Sequence, residues 1–251
     1  MAKKSMAKKK AMRTSRKRGS SNSVVVDIHS HNAYLDAPPA SFSRLKPLKA
    51  KTTSQSQYIS AIKSNKLTFG TGPAGTGKSY CAGALAAEAL HSKQIERIII
   101  SRPAVEAGEN MGFLPGDLQE KFDPYFDAFR DCLIDCLGKG VVECGIKNDR
   151  IVVSPLAYLR GKTFNNAFVV LDEAQNCTKA QLKMFLTRIG ENCRVVVNGD
   201  IRQSDIGHTS GLQDAIDRLG GLEGVYVHQF SREDIVRSGL VKDIIERYER
   251  T

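Results

Sequence analysis

An α/β fold built on a parallel sheet flanked by helices follows from three observations on this chain of 251 residues. Short runs rich in β-branched residues recur, helical patterns fall between several of them, and one strand-to-helix junction carries a glycine-rich loop. The apolar runs are residues 67–69, 97–101, 151–154, 168–171, 195–198 and 225–228. They are apolar throughout rather than alternating, as strands covered on both faces are. Helical patterns at 79–90, 118–137, 179–189 and 212–219 separate several of these runs. Strands alternating with helices imply a parallel sheet with right-handed crossovers. Residues 51–63 suit a first helix, with Ile59 and Ile62 spaced to face a core, and residues 238–248 a last one.

The domain organisation expected is a tail and linker at 1–51 and one compact domain at 52–251. Residues 1–18 hold nine of the 37 basic residues and no acid. The remaining 28 face all 27 acids, so the rest of the chain stands at about +1. The basicity therefore belongs to a tail, which its Ser/Asn and Pro clusters predict to be disordered; only residues 24–28 suggest a stray strand. Such a tail either attracts polyanions or serves as a solubilising leader. No apolar run approaches the length of a membrane span, and no apolar stretch of a signal peptide follows the basic N-terminus. Scattered cysteines point to reduced thiols in the cytoplasm rather than a disulfide framework.

Residues 72–79 read Gly-Pro-Ala-Gly-Thr-Gly-Lys-Ser, a full match to the phosphate-binding loop G-x-x-x-x-G-K-[ST] between a strand and a helix. The loop glycines let successive backbone N–H groups turn inward around a phosphate chain, and the helix N-terminus adds partial positive charge. Gly72, Pro73, Ala74, Gly75, Thr76, Gly77, Lys78, Ser79 and the following Tyr80 form the expected binding set for ATP. Lys78 would reach the β- and γ-phosphates, and the Ser79 hydroxyl would ligate Mg²⁺.

The apolar run at 168–171 ends in Asp172-Glu173, the Walker B pattern. Strand burial leaves these acids at the carboxyl end of the strand, beside the phosphate loop. Asp172 would hold Mg²⁺ and Glu173 would accept the proton of the attacking water. The next strand runs into Gly199-Asp-Ile-Arg-Gln203. Gln203, neutral and bidentate, suits a sensor of the γ-phosphate or the lytic water.

The strings Asp172-Glu-Ala-Gln and Gly199-Asp-Ile-Arg-Gln resemble motifs of superfamily 1 helicases. Together with Ser101-Arg-Pro-Ala-Val-Glu-Ala-Gly-Glu, Gly112-Phe-Leu-Pro-Gly-Asp-Leu and Phe185-Leu-Thr-Arg-Ile-Gly, they make residues 52–248 resemble the PhoH-like family. The resemblance implies a RecA-like P-loop NTPase core, ATP and Mg²⁺, a ring oligomer that the family suggests is a hexamer, and a link to RNA. It also matches Gln55 to an upstream glutamine that reads the adenine edge in helicases; a surface helix residue is the other reading. Ser79 stands where relatives carry Thr, and either supplies a hydroxyl. Arg202 and Ser204 depart from the commoner residues of the sensor run.

Arg237 and Arg232 follow the last strand, and Asp234-Ile-Val-Arg237 matches a family run. A guanidinium there would neutralise charge on a transferring phosphoryl group, or pair with neighbouring acids on a helix. With room for one such domain, a finger arginine is expected from a neighbouring subunit, Arg237 first and Arg232 second. Arg102 and Arg160 are candidates for substrate or subunit contact. Asp27-Ile-His29-Ser-His31 lacks the further ligands of a metal site, and Cys132, Cys136 and Cys144 lack a fourth ligand for zinc. The expected function is Mg²⁺-dependent ATP hydrolysis coupled to remodelling of RNA or single-stranded DNA, against a regulatory ATPase switch acting on a protein. The nucleic-acid part has the thinner basis: the core carries no excess basic charge and no aromatic stacking platform is visible.

Overall fold

The computed structural model describes residues 45–103 and 126–237, with positions 239, 241, 244 and 247, which are helical. The basic tail, the stray strand at 24–28 and the motif residues at 104–125 lie outside the described residues. All described residues belong to one unit, residues 42–251.

The described strands are β1 (Leu67–Thr71), β2 (Arg97–Arg102), β3 (Ile151–Pro155), β4 (Ala167–Leu171), β5 (Cys193–Gly199) and β6 (Val225–Gln229). They form one sheet in the order β3-β2-β4-β5-β1-β6, and every pairing is parallel. This is the expected parallel α/β class. Each of the six apolar runs became a strand, extended by one to three residues. The covered centre explains the continuous apolar runs: β1 and β4 are buried at every position, whereas the edge strands β3 and β6 are partly open.

Side chains alternate across the sheet, so neighbours in a strand enter opposite cores. Phe168 and Val170 of β4 join one cluster with Ile98, Ile100 and Val196. Val169 and Leu171 join the other with Phe69, Val195 and Val197. The first face is covered by α1 (Thr53–Ser64), α2 (Lys78–His91) and α3 (Asp127–Leu137). Buried Ala82, Ala84, Ala86, Ala87 and Ala89 let α2 lie close on the sheet. The second face is covered by α5 (Lys179–Leu186) and α6 (Leu212–Leu219). Helix α4 (Lys139–Lys147) leads into β3 and was not foreseen.

Local chemistry fixes the helix starts. The Thr52 hydroxyl caps α1 by accepting from Gln55 N, and Thr178 with Gln181 closes a reciprocal cap on α5. Of the two isoleucines expected to face the core from α1, Ile62 is fully buried and Ile59 only partly. Leu45 and Leu48, within the stretch read as linker, pack against the first core.

Candidate nucleotide-binding site

The loop between β1 and α2 turns on Gly72, Gly75 and Gly77, all at positive φ. At Gly72 a side chain would also collide with the backbone carbonyl of Phe230, 2.4 Å from its first carbon. Glycine is therefore required there both by backbone conformation and by the close approach of the chain leaving β6. Strand pairing explains that approach: β6 lies beside β1, so the residues after β6 land on the loop after β1.

Lys78 opens α2 and folds over the loop. Its Nζ donates to the carbonyls of Gly72 (2.7 Å) and Pro73 (2.8 Å) and to Thr76 Oγ1 (3.3 Å). Burial pulls its pKa below the ordinary lysine value, opposed by the carboxylates of Asp200, Asp172 and Glu173. Ser79 Oγ donates to Asp172 Oδ1 at 2.9 Å. A hydroxyl and a carboxylate oxygen thus converge beside the loop, and these hard oxygen donors fit Mg²⁺. Asp172 is itself buried, and its other oxygen takes the guanidinium of Arg102 at 2.6 Å. Arg102, expected to meet substrate or a neighbouring subunit, is committed to its own chain's acid.

Glu173 is exposed and held at φ 55, a left-handed conformation uncommon outside glycine. Its Oε2 accepts from Gln175 Nε2 at 2.7 Å. Gln175 is buried, and its Oε1 accepts the backbone N–H of Asp200 at 3.0 Å. Its carbonyl takes the Ser204 hydroxyl, and Asn176 next to it exchanges two hydrogen bonds with Asp205. The Asp172-Glu173 turn and the loop carrying Gln203 are therefore one hydrogen-bonded unit. Gln175 was quoted only as part of a motif string; its partners lie 25 residues on, and only the β4–β5 pairing brings them together.

A cleft of about 290 Å³ is lined by the phosphate loop, Lys78, Ser79, Tyr80, Asp172, Glu173, Asp200, Gln203 and Arg237. The structure therefore brings Lys78, Ser79, Asp172, Glu173 and Gln203 together around one opening. Two expected residues sit elsewhere. Gln55 lies buried behind the loop: its Nε2 donates to Thr76 O (2.9 Å) and its Oε1 accepts from Lys51 N (2.7 Å). It buttresses the loop rather than standing on the surface. Arg232 occupies a short 3₁₀ turn (Arg232–Asp234) and does not line the cleft among the described residues. Arg237 lies close to the loop of its own chain. Val236 N bonds Gly75 O at 3.0 Å, and the Arg237 side chain crosses Gly75, where an added carbon would meet its Nε at 2.9 Å.

A glycine loop between strand and helix, a Lys-Ser pair at the helix start and an acid pair at the end of β4 together define a P-loop nucleoside-triphosphate-binding fold. A family model described as PhoH-like protein matches residues 47–249, and the chain belongs to this PhoH-like family. It is 48% identical over 209 residues to the PhoH-like protein of Mycobacterium tuberculosis (strain ATCC 25618 / H37Rv), covering 82% of this chain and 59% of that one. It is 48% identical over 207 residues to the PhoH-like protein of Bacillus subtilis (strain 168), covering 82% and 65%. Protein PhoH of Escherichia coli (strain K12) is 48% identical over 206 residues, covering 80% and 58%. The chain thus spans less than two thirds of the length of each of these relatives. Among solved structures, the UvsW helicase from bacteriophage T4 is similar at TM-score 0.46 and 11% identity, covering 75% of this chain and 65% of that one. A Sulfolobus solfataricus SWI2/SNF2 ATPase core in complex with dsDNA is similar at TM-score 0.45 and 11% identity, covering 78% and 48%.

Proposed function

We propose that this protein hydrolyses ATP with Mg²⁺ and couples the cycle to single-stranded nucleic acid, RNA or DNA. The observation that carries the hydrolytic part is the convergence of Lys78, the Ser79–Asp172 pair, Glu173 and Gln203 on one cleft. The loop N–H groups and Lys78 bind and orient the triphosphate, whose oxygens replace the loop carbonyls around the ammonium. Ser79 and Asp172 hold the cation, which supplies charge neutralisation when bound. Glu173 accepts the proton of the attacking water, and Gln203 orients that water or the γ-phosphate. Arg237, over Gly75, adds a positive charge to the phosphate side of the cleft within the same chain.

The exposed, water-facing carboxylate of Glu173 favours hydrolysis over transfer to an acceptor. Nucleic acid as the coupled partner is supported by the family's resemblance to superfamily 1 helicases and by the nine cations of residues 1–18. A ring of copies is consistent with one phosphate loop per chain, and the cytoplasm suits six free thiols. No helix among the described residues is long and apolar enough to cross a membrane. The test is phosphate release with and without single-stranded RNA. Lys78→Ala should lose ATP affinity and turnover together. Glu173→Gln should bind ATP and cleave it about 10²-fold more slowly or worse. Wild-type cleavage by Glu173→Gln removes the general base; turnover indifferent to every polynucleotide removes the coupling.

A further inference from the structure

The chain leaving β3 makes a 3₁₀ turn (Leu156–Leu159) and then the loop Arg160-Gly161-Lys162-Thr163. Leu156 and Leu159 are each 1% exposed, and so is Phe164 beyond the loop. These three side chains are rooted in the second core, and the backbone is tied by Arg160 N to Ala157 O and Lys162 N to Leu159 O. The segment between them is therefore a fixed turn with an outward face. That face presents Tyr158, 51% exposed, together with the exposed side chains of Arg160 and Lys162. No described residue bonds the Tyr158 hydroxyl or makes an ion pair with Arg160 or Lys162. Gly161 lies at φ +81 with nothing within 4 Å of where a side chain would start, so the backbone stands open to an approaching ligand.

The charge pattern around the turn is one-sided. Residues 156–171 contain Arg160 and Lys162 and no carboxylate. Helix α5 packs against the turn and adds exposed Lys183, with no acid between residues 174 and 190. The body of the chain as a whole stands near +1, so this is a concentration of positive charge and not the average surface. Its position follows from the topology. All strands are parallel, so the carboxyl end of β3 lies on the same rim as those of β4 and β1. Only the 3₁₀ turn starts at that rim: β4 is parallel to β3, so the chain then descends along the second face, and by Phe164 it bonds Arg188 and Gly190 before the start of β5.

We infer that Tyr158, Arg160 and Lys162 form a contact site for single-stranded nucleic acid. An unpaired base stacks on the Tyr158 ring while Arg160 and Lys162 take flanking phosphates, the combination of aromatic platform and backbone charge that single strands require. Duplex offers no free base face to this ring. The inference rests on the nucleic-acid reading proposed above and supplies the platform that the sequence did not display.

The experiment measures fluorescence anisotropy of a labelled 20-nucleotide oligouridine and of the same-length DNA and duplex, using the full chain at several salt concentrations. The basic tail is present in every variant, so differences report the turn. Tyr158→Ala should weaken single-strand binding about tenfold or more, persisting at high salt, and Tyr158→Phe should restore it because only the ring is used. Arg160→Ala with Lys162→Ala should lower the slope of log affinity against log salt by about 1.4, or 0.7 per lost phosphate contact. Binding of an ATP analogue should be unchanged in each. If wild type binds single strands and these variants bind equally well, the assignment of this turn is overturned while the nucleic-acid reading stands. Duplex binding as tight as single-strand binding and equally sensitive to Tyr158 overturns the stacking role. A wild type that binds no single strand overturns both readings.

Discussion

Replacing Gln175 by Leu should slow ATP cleavage without weakening ATP binding. Leucine fills nearly the same buried space, so the change removes two hydrogen bonds and little packing. One is the 2.7 Å bond from Nε2 to the Glu173 carboxylate, the other the 3.0 Å bond accepted from Asp200 N. A hydrogen bond to a charged group contributes about 1.5–3 kcal/mol, and an orphaned buried N–H costs about 1–3 kcal/mol. If the first bond holds Glu173 in its working position, its loss enters the barrier at about tenfold per 1.4 kcal/mol, giving a kcat about 10- to 100-fold lower. The Gln175 side chain makes its hydrogen bonds to Glu173 and Asp200 and not to the phosphate loop or Ser79, so KM for ATP should stay within about threefold. The orphaned Asp200 N–H should appear separately as about 1–3 kcal/mol lost in urea unfolding. Gln175→Glu keeps the acceptor but sets one carboxylate against another, and should be at least as slow. The assay is steady-state phosphate release beside binding of a fluorescent ATP analogue. A kcat within twofold of wild type for Gln175→Leu would refute the idea that this side chain positions Glu173.

Three further outcomes follow from the geometry. If Arg237 serves the loop it lies over in this chain, mixing Arg237→Ala with Lys78→Ala protein should restore no ATPase beyond the sum of the parts; recovery on mixing would assign it to a neighbour's site. Arg102→Met leaves the buried Asp172 carboxylate without its cation and should destabilise the fold by about 3–5 kcal/mol in urea titration, with Asp172→Asn in the same chain recovering part of it. Alkylation of the native protein at pH 8 should mark Cys144 first, since burial raises Cys81 and Cys193 to about 11 and Cys177 to about 12 and hides all three; early labelling of Cys177 by mass spectrometry would contradict the packing.

The strands and the acid pair that follows β4 were legible because both are local. A continuous apolar run names a covered strand, and an acid pair after it names the strand's carboxyl end. Helix α4 was missed because Gly140 and Gly145 break the periodic signal over a nine-residue helix; Gly145 packs so tightly that a side chain would meet Ile151 at 2.8 Å. Gln55 was open between adenine reader and surface residue because its partner, Thr76 O, belongs to a loop 21 residues away. The closeness of Arg237 to the phosphate loop of its own chain was not legible for a topological reason. Nothing local in the sequence says that β6 pairs with β1, and only that pairing carries the Phe230–Arg237 segment back over Gly72 and Gly75.

The same non-local bonding bears on how the cleft would transmit its state. Glu173 and Gln203 come from different strands, yet Gln175 and Asn176 bind the Gln203 loop at Asp200, Ser204 and Asp205. A displacement of the Glu173 turn on cleavage therefore has to carry the 200–205 loop with it or break several hydrogen bonds together, each worth about 1 kcal/mol. That loop is exposed at Ile201 and Arg202. In the proposed cycle, loss of the γ-phosphate would be felt at this outward-facing apolar and basic tip, not inside the sheet, whose strands β1 and β4 are fully buried and offer no such freedom.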